Sequence, residues 1–170
     1  MSDTAPSASR PPTTPLHAWL IVLCVVILAS ALTDLPSIFV DYGHETALLK
    51  FAQAMTSVYL VLAPIIAAVA LAFAIRRQHA RAIYALAALI LVGWAAELPS
   101  IAIHGLELSP DVGGLTSFGH YFILPAIGVG AILLARRGRF GLAMLLVALP
   151  MAAHWLGVIA FGISVMIYGF

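Results

Sequence analysis

The sequence predicts an all-α integral membrane protein with five transmembrane helices, on three observations. Its 170 residues are 63% hydrophobic and 9% charged with a mean hydropathy of +1.08, far from the roughly 25% charged residues of a soluble domain. Five separate apolar runs are each long enough, at ~1.5 Å per helical residue, to cross a hydrocarbon core of ~30 Å. The short loops between the runs alternate in charge, as membrane topology requires. A net charge of +1 argues against nucleic acid as a partner, and the expected surroundings are a lipid bilayer, a second copy of the chain or a membrane-complex subunit.

Residues 1–15 are rich in Ser, Thr, Pro and Ala without an apolar period and read as a disordered cytoplasmic tail. Residues 16–170 then form one transmembrane domain. Span 1 runs from about Leu16 to Val40, span 2 from Ala52 to Ile75, span 3 from Ala82 to His104, span 4 from Leu115 to Ala135 and span 5 from Phe140 to Ile167. Ala29-Ser30-Ala31 has the form of a signal-peptidase site, but cleavage there would detach Asp34 from the partner described below, so span 1 is expected to stay. Cys24, the single cysteine, leaves no internal disulfide or CxxC pair and suits inert packing.

Arg76, Arg77 and Arg81 lie between spans 2 and 3, and Arg136, Arg137 and Arg139 between spans 4 and 5, whereas Asp41, Glu45, Glu107 and Asp111 lie at the other ends with Lys50. Cytoplasmic loops carry the excess of basic residues, which puts the N-terminus inside, the C-terminus outside and the chain in a bacterial inner membrane as a multi-pass protein. Tyr42, Tyr168 and Phe170 then fall near the outer interface.

Asp34-Leu35-Pro36-Ser37-Ile38 and Glu97-Leu98-Pro99-Ser100-Ile101 are nearly the same word. Each is followed by an outer loop, a Thr-Ser pair (Thr56-Ser57, Thr116-Ser117), a proline (Pro64, Pro125) and an Arg pair. Spans 1–2 and 3–4 therefore read as a parallel duplication of a two-helix hairpin, with span 5 as an extra copy in which Ala152-Ala153-His154 falls where Ala95-Ala96-Glu97 falls in span 3.

Acids and histidines inside apolar spans are costly and mark sites. Glu97 follows Arg81 by 16 residues, His154 follows Arg139 by 15 and His120 precedes Arg136 by 16. Sixteen helical residues rise ~24 Å, so the three share one level in the outer leaflet. Asp34 joins by the repeat, and Tyr59 by its 17-residue distance from Arg76. The spacings Asp34, Ser37, Asp41 and Glu97, Ser100, His104 each put one polar stripe on a helix face, and Pro36 and Pro99 free a carbonyl beside each acid.

This pattern supports three readings. Asp34, Glu97, His120 and His154 are a ligand set for Zn²⁺, Fe²⁺ or Mn²⁺, with Ser37, Ser100 and Tyr59 orienting them, for metal-dependent enzymatic chemistry or metal cargo; alternatively His120 and His154 hold a b-type haem. Without metal, an acid and histidine layer serves a proton-coupled small-solute carrier or a quinone- or lipid-binding subunit, with His104 also lining the site. In the third reading the same groups bond across the bundle and pin helices together in a structural or assembly subunit. His17 and His79 are expected to be interfacial or loop residues, His44 an outer-loop residue, and Trp94 either a pocket wall or an interface anchor.

Overall fold

The computed structural model describes residues 14–39, 46–104 and 118–169. Residues 1–13 and Asp41, Tyr42, His44, Glu45, Glu107, Asp111, Thr116, Ser117 and Phe170 lie outside them, whereas Thr14 and Pro15, expected in the disordered tail, open the first helix. The chain runs as α1 (Thr14–Asp34) continuing into a 3-10 turn (Leu35–Phe39), α2 (Ala47–Ile75), α3 (His79–His104), a π turn (Gly119–Ile123) leading into α4 (Leu124–Arg136), and α5 (Phe140–Tyr168). Among the described residues it is all-helical, with five helical segments long and apolar enough to cross a membrane. Large apolar side chains such as Val25, Val58, Ile65, Leu133 and Leu145 face outward along the bundle, the surface expected of a protein solvated by lipid.

Small residues explain how the helices meet. Ala63, Ala67, Ala70 and Ala74 form one buried stripe on α2, and Gly128, Ala131 and Ala135 form another on α4. Helices that gain no hydrophobic drive from pairing in lipid pack where small residues let their backbones approach. Accordingly α2 packs most extensively on α3, α4 lies on α3 and α5, and α1 leans on α2. Helix α3 touches all four others and forms the centre of the bundle. A methyl group on Gly128 would stand 2.8 Å from Leu91 Cγ, so the α3–α4 approach requires glycine there. Prolines 64, 99 and 150 sit inside α2, α3 and α5, and Pro125 lies in the first turn of α4.

Helix α2 begins where the Thr46 hydroxyl accepts the Leu49 amide at 3.4 Å, an N-cap bond that satisfies an otherwise unpaired donor. This starts the helix a full turn before the expected Ala52. The two Arg loops close identically. The Arg77 amide bonds Ala74 O at 2.9 Å and Gln78 bonds Phe73 O at 2.9 Å, while Gly138 bonds Ala135 O at 3.0 Å and Arg139 bonds Leu134 O at 2.9 Å. This is the Schellman pattern, which needs a left-handed residue just past the helix. Gly138 fills that place at φ 72° and Arg77 at φ 59°.

The starts of α1, α3 and α5 gather beside these loops. The rings of His17 and His79 meet edge to face with centroids 5.3 Å apart, and His79 lies 6.5 Å from Phe140. His79 is the first residue of α3, beside the Arg loop, and only 6% exposed, because α1 and α5 both close over it.

Candidate functional site

A cavity of about 250 Å³ opens among the helices toward the ends away from the Arg loops. Helix α1 contributes Ser30 and Asp34, α2 contributes Tyr59, and α3 contributes Gly93, Trp94 and Glu97. The π turn adds His120, and α5 adds Pro150, Met151 and His154. The remaining wall is aliphatic, including Ile27, Leu60, Leu89, Ile90 and Leu124. All five apolar segments thus bring polar side chains to one space.

Glu97 and His120 meet directly, with His120 Nε2 2.5 Å from Glu97 Oε2. The distance is that of an ion pair, but the ring nitrogen lacks the alignment of a hydrogen bond and has no other partner among the described residues. The two groups therefore stand in direct contact without an aligned hydrogen bond. The carboxylate side chain is 50% exposed whereas His120 Nε2 is buried, so Glu97 is the member of the pair open to whatever fills the cavity.

The π turn makes this meeting possible. Its i+5 bond, from the Leu124 amide to Gly119 O, widens the turn relative to an α-helix, and such bulges recur at functional sites. The Trp94 indole Nε1 donates to the Tyr121 carbonyl at 3.2 Å, satisfying an acceptor inside the turn. Trp94 and Glu97, one helical turn apart on α3, thus both reach the turn that carries His120.

Tyr59 is held by a glycine on the facing helix. A Cβ on Gly93 would come within 3.0 Å of Tyr59 Cε2 and Cζ and 3.1 Å of its hydroxyl, so the far end of the ring rests against bare backbone. Asp34 and Glu97 line the same cavity as Tyr59. Among the described residues no cationic side chain pairs with Asp34, and the Glu97–His120 contact is the one ion pair.

No protein family, curated protein or solved structure matches the chain. Its chemistry is therefore read from the site alone.

Asp34, Tyr59, Glu97, His120 and His154 all line the cavity. Ser37 does not: its hydroxyl turns back to donate to the Asp34 carbonyl at 2.5 Å. The stripe expected through Asp34 and Ser37 is broken because the chain passes from α-helix to a 3-10 turn at Leu35, changing the residues per turn from 3.6 to about 3. Ser100 and His104 sit on α3, but their side chains lie outside the described set. Among the described residues no three His, Cys, Asp or Glu side chains stand together as a metal ligand set, so the four expected ligands share a cavity wall rather than a coordination shell.

Ser30, Gly93 and Met151 are wall residues that sequence reasoning passed over. A signal was present for two of them. Ser30 precedes Asp34 by four residues and Gly93 precedes Glu97 by four, the spacing that stacks residues on one helix face.

Proposed function

We propose that this is a multi-pass inner-membrane protein, N-terminus inside, that binds a small molecule from the outer side in this cavity and exchanges a proton with it through Glu97 and His120. In this reading the Arg loops face the cytoplasm and the hairpin is duplicated. The matching Schellman closures of the two Arg loops and the matching small-residue stripes of α2 and α4 support the duplication. They relate Arg77 to Gly138, Ala67 to Gly128 and Ala74 to Ala135, each 61 positions apart.

The observation that carries the functional reading is the convergence of polar groups from every segment on one space of about 250 Å³. Ligand pockets span roughly 300–1,000 Å³ and this cavity lies just below that range, which favours a small molecule. Polar groups that serve only to pin helices bond each other and close the gap between them. Here Asp34 has no ion-pair partner among the described residues and Glu97 is half exposed, leaving acceptors for a ligand. An acid touching an imidazole is a pair of groups able to give and take a proton, and a charged or hydrogen-bonding ligand beside them alters that exchange. A divalent metal finds only the Glu97–His120 pair preassembled among the described residues.

The test is a thermal-shift screen of small amines, acids and neutral compounds on protein in lipid nanodiscs, with proton release or uptake followed by a pH dye in weak buffer. At least one compound is expected to raise Tm and move protons with the native chain, and to do neither with Glu97→Gln. If no compound stabilises a well-folded native protein, or if Glu97→Gln responds identically, the proposal fails. Metal analysis and an absorption spectrum of the same sample address metal and haem directly.

A further inference from the structure

We infer that the cavity selects a small organic cation, an ammonium group carrying an apolar body. This rests on the reading of the cavity as a binding site and adds the class of its ligand. The argument starts from charge. Glu97 has its counter-group in His120, at ion-pair distance, whereas Asp34 on the same wall has no cationic partner among the described residues. Asp34 is therefore the carboxylate of this wall left without a counter-group at ion-pair distance among the described residues, and a carboxylate set in an apolar wall favours a cation beside it.

The rest of the wall decides what kind of cation answers it. A hard metal cation needs six or more oxygen ligands, or water in their place, and most of this wall is aliphatic. Two aromatic rings stand in it instead. Tyr59 is seated against Gly93, and the Trp94 indole is tethered to the Tyr121 carbonyl at 3.2 Å, so both rings hold their positions without a ligand. Aromatic rings beside a carboxylate recognise ammonium groups through cation–π attraction while tolerating their carbon substituents. The aliphatic side chains of Leu60, Leu89, Ile90 and Leu124 then cover an apolar body, which an inorganic cation lacks.

The charge and the apolar surface are therefore read separately, and matched probes separate them. The experiment is calorimetric titration of the full chain in nanodiscs with 2-phenylethylammonium, its neutral analogue 2-phenylethanol, and the anion phenylacetate. The ammonium is expected to bind at least ten times more tightly than the alcohol, with the anion weakest. Asp34→Asn is expected to lose that tenfold preference and bind the two probes alike, while Asp34→Glu, which keeps the charge, retains it. Unfolding of each variant, followed through Cys24, establishes that it is folded. If the alcohol binds as well as the ammonium in the native protein, the cation inference is overturned and the cavity reading stands. Retained preference in Asp34→Asn overturns the role of that carboxylate. Binding of none of the three overturns the inference, and together with a negative screen it removes the cavity reading as well.

Discussion

Replacing Gly93 with alanine tests how the site is built. The added Cβ would stand 3.0 Å from two Tyr59 ring atoms and 3.1 Å from the hydroxyl. A phenol ring is rigid, so it must shift by a few tenths of an ångström or leave its place. Overpacking of this kind costs about 1–3 kcal/mol. Against it stands the gain from exchanging glycine for alanine inside a helix, roughly 0.5–1 kcal/mol. The expected net loss is on the order of 1 kcal/mol, which for a chain of this length lowers Tm by about 2–4 °C. In a Tyr59→Leu background the sign should reverse. Leucine ends at its Cδ atoms, short of the ring positions that Gly93 meets, so the helix-propensity gain remains without the clash. Cys24 provides the assay: it is the single cysteine and is 0% exposed, so a thiol-reactive fluorogenic dye labels it only as the bundle opens. The cycle isolates a coupling of about 1–3 kcal/mol between the two positions. Equal effects of Gly93→Ala in both backgrounds would show that the ring does not rest on this glycine.

Three further outcomes follow from the geometry. Gly138→Ala should destabilise by about 1 kcal/mol, since its φ of 72° lies in the left-handed region where a Cβ is strained, whereas Arg77→Gly at φ 59° should hold or raise Tm; a loss in both would contradict the Schellman reading. Ala70→Leu, at a fully buried point of the α2 stripe, should overpack the seam beyond what small shifts relieve and cost about 1–3 kcal/mol or more, while Ala68→Leu on the exposed side of α2 should be near neutral in the same unfolding assay. Glu97→Gln should change Tm by less than about 1 kcal/mol-equivalent because the pair is open rather than sealed, yet abolish ligand-linked proton exchange; a large stability loss with exchange intact would favour helix pinning.

The parts of the site differ in how they could be read from the chain. Depth was legible, because rise per helical residue is nearly constant and the Arg loops mark one end of the bundle. Counting from those loops puts Glu97, His120, His154 and Tyr59 on one level, and the cavity is lined by all four together with Asp34. Facing was less legible. Ser37 looked equivalent to a cavity residue by spacing, but spacing presumes 3.6 residues per turn and the chain tightens to a 3-10 turn there. His79 lay outside span 3 as read from Ala82, and whether a helix start is covered depends on which other helices end beside it.

What the linear chain determined by itself is the number of apolar segments, where the basic loops fall between them and which side chains share a height, because hydropathy and helical rise act locally along the backbone. The tertiary structure decided which acid meets which base. Glu97 rather than Asp34 faces His120 because the small-residue seams set the rotation of each helix about its axis, and because the π turn carrying His120 is held by a tryptophan from another helix. Contacts of that kind join residues 27 positions apart, and nothing in the local pattern around either residue encodes them.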